Sequence, residues 1–525
     1  MKQKIILSLV CLLLIPVFFG TCSPYTEITQ VSGGITLLRN NNTGTYKFSE
    51  PLSFEDGTDG MTVFLKSPFS GEIRLERQQG DTVSHAFSGA RSLGISLADI
   101  TLSGFSFNPA EPAPEVERIT LGKPVQGYIE REAGYYRSAD VTFSAAPDAL
   151  VFELSSPWEP GSSLAVSYAS RKKGLTGTDP VSVIFLGTKN RQSEVSILPK
   201  GGNHRIIIPE GTAGFPVKRV LFNIPPGDFK ILSIEIYPPP DGGSFSPIPA
   251  DAGAVLNFQP EYWRGENYEL FSWDGDPAIL IMDTRNYRIQ SAFFKRLAFY
   301  REKRGYRGRL LTDSELEGIH GWNAHNYGAR GLADFFTQVD ASGFPLNASE
   351  EHLRELLIAN GVIQEGGDGK YIAGKGGIIS VSQESPEVLR QQFMNHEGQH
   401  ALFYSNTPFR EYCFSLWNTF GAETKKFWRN LLSWLSYSPD WEYLMVNEYQ
   451  AYLLQFPPAQ IPGYFSALIR GKILPRTPGL GKELDNFLTK NPGYLEETAI
   501  KLARVMYDYT GILPGRFNTL RPASE

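Results

Sequence analysis

Two hydrophobic periods divide the chain. From residue 24 to about residue 240 the apolar positions come in short runs broken by Gly, Pro, Asn and Asp. Glu72-Ile73-Arg74-Leu75-Glu76-Arg77 alternates strictly. Ile73 and Leu75 point to one side and the charges to the other, the signature of a half-buried strand. Leu232-Ser233-Ile234-Glu235-Ile236 repeats the pattern, and Met61–Leu65, Val181–Phe185 and Arg205–Ile208 read as further strands. Short strands with this punctuation predict β-sandwiches. Beyond residue 253 the period lengthens. Phe293, Phe294, Leu297 and Ala298 share a helical face, and Asn347 with Glu350 forms a capping box ahead of Leu353, Leu356 and Leu357. Ile279–Met282 reads as a buried strand. The pattern therefore predicts a multidomain chain. All-β sandwich modules span 23–108 and 116–238, with seams at Pro109–Pro114 and Pro238–Gly243, and a mainly α (α+β) domain spans 253–525.

Within the last domain, Leu389, Phe393, His396, His400 and Phe403 recur at helical spacing. Ser385 is the expected N-cap, Pro386 the first helical residue, and Glu387 favours the positive end. The helix contains His396-Glu397-Gly398-Gln399-His400. Positions i and i+4 lie on one face, so both imidazoles can reach one metal ion. Glu397 falls beside the open coordination position, where a general base for water is needed. Gly398 costs about 1 kcal/mol relative to Ala in mid-helix, which tells against a purely structural helix unless something packs closely there. The chain has seven histidines, and two of them fall here.

A third ligand is needed to hold the ion. Downstream, Ser438-Pro439-Asp440 opens another helix, on which Glu448 shares a face with Trp441, Leu444, Met445, Ala451 and Tyr452. An ionised carboxylate on an apolar face needs a partner. A zinc ion would supply one and complete a His₂Glu set. Glu423 is the rival; it precedes Lys425 and Lys426, as a solvated helix charge would.

These motifs resemble the gluzincins, zinc peptidases with His-Glu-x-x-His on one helix and a glutamate ligand on a later one. Asn447-Glu448-x-x-Ala451 is similar to their glutamate helix, and the resemblance covers roughly residues 376–456. It implies a zincin-like fold, zinc bound by His396, His400 and Glu448, and Glu397 as the catalytic base. It also implies that the strand at Gly376–Ser382 is the edge strand that holds the peptide. An oxyanion donor is expected from His325, Tyr449 or Tyr452, His325 lying in the aromatic segment His320–Tyr327.

The net charge of −6 argues against a nucleic-acid partner. Lys2 and Lys4 precede an apolar run, Ile5 to Phe19, which is short for a membrane span. Residues 1–22 thus read as an export signal, and Cys22 resembles a bacterial lipoprotein site. With Cys11 in the signal and Cys22 lipidated, Cys413 is left alone, so no intrachain disulfide is expected. The expectation is a lipid-anchored cell-envelope metallopeptidase acting on a protein or peptide. The second sandwich resembles jelly-roll carbohydrate-binding modules between Pro226 and Ile236, which leaves open a peptidoglycan-peptide hydrolase docked on cell-wall glycan. A non-enzymatic surface lipoprotein with a structural metal is the third reading. Cys22→Ala should release the protein from membranes into the soluble fraction; unchanged sedimentation with membranes would remove lipid as the anchor.

Overall fold

A computed structural model describes residues 25–31, 35–40, 45–53, 60–80, 82–96, 101–108, 114–121, 135–137, 148–153, 161–188, 191–224, 228–241 and 243–522. The leader expected over 1–22, with Cys22, lies outside them, as do Pro226 and most of the seam at 109–114. No helix among the described residues is long and apolar enough to cross a membrane. Sheets make up the N-terminal part and helices dominate the C-terminal part.

The chain divides into two compact units, residues 1–128 and 129–525. In the first, a seven-stranded sheet is organised by the long strand Gly60–Arg77. Its first half pairs with Val116–Leu121 and its second half with Thr101–Asn108. Ile73 and Leu75 are fully buried, as their alternation predicts. Val116–Leu121, expected to open the second module, instead completes this first sheet.

The second unit begins with two antiparallel sheets of four and five strands. In Phe229–Tyr237 the alternation fails. A bulge lies opposite Ser167 and Tyr168, so Phe229, Ile231 and Ile234 are buried while Leu232 and Ile236 are only half-buried. The seam after residue 238 does not separate a domain. Leu520–Pro522 returns to pair with Gln192–Ile197. The fully buried Asp251 carboxylate caps Ala252–Asn257 through Gly253 N and also accepts from Thr519 N and Leu520 N at 2.8–3.1 Å.

The site is carried on a five-stranded mixed sheet, in the order Ile248–Ala250, Tyr268–Trp273, Ile279–Thr284, Gly377–Ser382, His325–Gly328. Gly377–Ser382 runs parallel to Ile279–Thr284 and antiparallel to His325–Gly328. All six of its residues are buried, and both its edges are paired. It is therefore an inner strand, not the expected edge, and the edge is His325–Gly328.

From Gly377–Ser382 the chain turns into the helix Glu387–Ser405. Ser385 does not cap it; its hydroxyl bonds that of Tyr287 at 2.7 Å, and Pro386 holds the cap position. The helix is fixed to the sheet by Arg390, which donates to the buried Asp283 at 2.7 Å, to Leu256 O and to Gln383. Burial pushes the Asp283 carboxyl up to about 6, against the pull of Arg390. Breaking such a buried pair from one side costs about 3–5 kcal/mol. Leu389, expected inward, is 37 % exposed, because Arg390 takes the sheet-facing side of that turn.

Gly398 has a direct explanation. The Phe517 ring lies where its Cβ would be, with ring carbons at 2.2–2.6 Å, and that ring packs at a tilt on Trp273 with centroids 4.4 Å apart. Gly398→Ala should therefore destabilise the fold by about 1–3 kcal/mol, overpacking outweighing the helix-propensity gain. Denaturant unfolding measures this, and a stabilised variant would contradict the packing described.

Candidate metal centre

The helix Glu387–Ser405 packs against Glu442–Leu454. The second helix starts just after Trp441 rather than at the expected Ser438-Pro439-Asp440 cap. His396 and His400 stand one turn apart on the first helix, and Glu448 faces them from the second. The two Nε2 atoms are 3.2 Å apart. Glu448 Oε2 is 3.5 Å from His396 Nε2, and Glu448 Oε1 is 3.5 Å from His400 Nε2. One ligand atom from each of the three residues lies within 4.8 Å of the others, and all three residues are buried.

These residues fit a metal ion. Burial lowers both imidazoles to about 4, so at neutral pH they offer lone pairs rather than protons. Glu448 Oε2 has no hydrogen-bond partner among the described residues, nor has either Nδ1. Burial also raises the Glu448 carboxyl, opposed by His400 and by the Tyr437 hydroxyl. An orphaned carboxylate oxygen beside two neutral imidazoles is what a divalent cation compensates.

The cluster opens into a cavity of about 190 Å³ lined also by Glu302, His325, Phe393, Glu397, Tyr437 and Tyr452. Glu397 lies beside the ligands without being one of them. Burial, then Glu448 and Glu302, push its carboxyl well above the usual range. Its backbone carbonyl accepts from Asn326 Nδ2 at 2.9 Å, which ties the edge strand to this turn of the helix.

Of the other expected residues, two reach the cavity. His325 stacks on Phe294 at 5.1 Å, and burial lowers it to about 3. Tyr452 meets the His396 ring edge-on at 4.6 Å. Tyr449 does not reach it. Its hydroxyl donates to Cys413 O at 2.8 Å, and its ring packs on Trp417 and Trp428, so it belongs to the core behind the helix. Glu423 is exposed in the first turn of Ala422–Trp434, away from the imidazoles.

Two residues were not legible from sequence. Tyr437 stacks on Trp322 at 5.0 Å, and its hydroxyl acts on Glu448. It follows Ser436, the one non-glycine residue with positive φ (76°) among the described residues. Such a backbone is uncommon for serine and fixes where the tyrosine points. Glu302 accepts from Trp322 Nε1 at 3.1 Å and is pushed up to about 8 by burial and then by Glu448.

No protein-family model matches the sequence, and no curated protein matches it. Among solved structures, one of oxalate decarboxylase from Bacillus subtilis aligns at 10 % identity and another of oxalate decarboxylase at 8 %. Each alignment covers 41 % of this chain and 75 % of the other, with a TM-score of 0.10. A likeness that low carries no argument about fold or chemistry.

Glu448→Ala should leave two histidines that hold the ion poorly, and metal content measured after dialysis should fall from about one per chain towards zero. Glu423→Ala should leave it unchanged. The reverse pattern would reassign the third ligand.

Proposed function

We propose that the chain is a zinc metallopeptidase of the gluzincin type, with a zincin-like domain, that hydrolyses peptide bonds in the cell envelope. The observation that carries this reading is one arrangement. Two imidazoles and a carboxylate converge in a buried cluster, a further carboxylate lies beside them outside the ligand set, and an edge strand borders the same cavity. A purely structural metal site has no use for Glu397.

Bound zinc would supply Lewis acidity to a water molecule and to the scissile carbonyl. Glu397 accepts the proton of the attacking water and delivers it to the leaving amine. Its carboxyl is raised by burial and then by Glu448 and Glu302, and a cation held by Glu448 would favour the ionised form that acts as base. His325, Tyr437 and Tyr452 line the cavity with groups able to donate to an oxyanion. The edge His325–Gly328 is suited to an extended peptide added as a further strand. His325, Glu397 and the three candidate ligands are buried, so these polar groups act in a lower dielectric than water.

Glu397→Gln should lower peptide hydrolysis by about 10²–10⁴-fold while metal content stays near one per chain. Wild-type turnover in this variant would remove Glu397 from the mechanism; loss of the metal would make it a ligand.

A further inference from the structure

A second cavity, of about 520 Å³, continues from the metal centre. The two share Glu302, Asn326 and Asn447 in their walls. One side is the end of the edge strand, Asn326–Gly328, and the first turn of the helix Ala329–Ser342. The other side is Trp441, Tyr443 and Leu444, at the start of the helix that carries Glu448. A peptide lying along the edge strand through the metal centre must therefore pass this cavity.

Its walls are cationic. Arg301, Arg330 and Arg410 all line it, and the single carboxylate among its lining residues is Glu302, at the end shared with the metal centre. Arg301 is set in place from three sides. Its Nη1 pairs with Asp334 at 2.7 Å, its guanidinium lies 5.0 Å over the Trp441 ring, and Gly331 leaves the room a side chain would take, its Cβ position being 3.2 Å from Arg301 Nε. Arg410 is held by neutral acceptors, Tyr404 O at 3.0 Å and Thr407 Oγ1 at 3.1 Å, so its charge is positioned without being cancelled. Among the described residues, neither Arg330 nor Arg410 is ion-paired with a carboxylate, and Arg330 is exposed. All three guanidiniums line the cavity beside Tyr443, and each pulls its phenol down against its burial. The helix turn between them is capped by Gly328, which brings no side chain to its N–H groups, and adds to the same positive field.

We propose that this cavity is a subsite for a carboxylate of the peptide substrate, an acidic side chain or a free C-terminal carboxylate, held by Arg301, Arg330 and Arg410. The assignment rests on the peptidase reading for the word substrate, and on the cavity alone for the anion. The chemistry favours a carboxylate because guanidinium forks grip planar carboxylates bidentately, and the Trp441 ring offers a flat wall beside them.

The test separates the two claims by measuring binding where turnover is blocked. Zinc-loaded full-length protein carrying Glu397→Gln is titrated with fluorescein-labelled hexapeptides, followed by anisotropy. One arm replaces glutamine by glutamate at each position in turn. The other compares free with amidated C-termini. At least one arm should bind about tenfold or more tightly in its carboxylate form, and added salt should weaken that advantage. The arm that responds identifies the source of the carboxylate. Adding Arg330→Gln and Arg410→Gln together should bring the ratio to within about twofold. Arg330→Gln alone, on an exposed side chain, gives the fold-safe version and should reduce the ratio. Equal binding of both forms in both arms overturns the proposal, as does absence of any binding, or an advantage that survives in the arginine variants. Cleavage of the same peptides by the unaltered protein is scored separately. Carboxylate preference without cleavage would sink the peptidase reading and keep the subsite; cleavage without preference would do the opposite.

Discussion

Three carboxylates and two imidazoles share one small buried volume, and this crowding constrains everything around it. Glu302, Glu397 and Glu448 are each raised by burial, and Glu302 and Glu397 are raised further by Glu448. Like charges in a low dielectric cannot all ionise without a cation among them. A divalent ion held by His396, His400 and Glu448 would therefore couple to the charge of all three carboxyl groups. The walls must hold these groups still while they repel. Trp322 does so for Glu302, Tyr437 for Glu448, and Asn326 for the turn that carries Glu397.

That rigidity comes from the sheet. Gly377–Ser382, buried along its whole length between two partners, delivers the chain into the ligand helix, and the Arg390–Asp283 pair fixes the angle at which it leaves. Because the inner strand is covered on both edges, the outer strand His325–Gly328 is the one whose free edge faces both cavities. The proposed peptide path and the proposed anion subsite follow from that single swap of strand order.

The candidate ligands were legible because their signal is local. His396 and His400 are one turn apart, and Glu448 sits on a helix that must bury it. What failed was inference about faces. Glu442–Leu454 is buried nearly all round, so its periodicity could not say that Tyr452 points to the imidazoles and Tyr449 to Trp417 and Trp428. Strand order is likewise not written in Gly376–Ser382 itself; it depends on a segment some fifty positions upstream pairing outside it. Glu302 and Tyr437 lie on no ligand helix and become neighbours of Glu448 through tertiary packing alone. Gly398 was readable as an anomaly, but its cause, Phe517, is remote in sequence. The strand Phe229–Tyr237 lost its predicted faces at one bulge, which a strict period of two cannot anticipate.

The closure of Phe517 over Gly398 has a temporal side. Asn395 Oδ1 takes the Phe517 amide, Asp251 takes those of Thr519 and Leu520, and the strand after them joins the sheet of Gln192–Ile197. Residues 517–522 are made after every other part of the unit that they lock. A growing chain has the helix Glu387–Ser405 but lacks the ring that braces it and the strand that seals the sheet. Contacts this distant in sequence form late. The cluster of His396, His400 and Glu448 would thus gain its outer bracing only once the whole unit has emerged, which makes its rigidity a property of the complete unit rather than of the two helices that carry it.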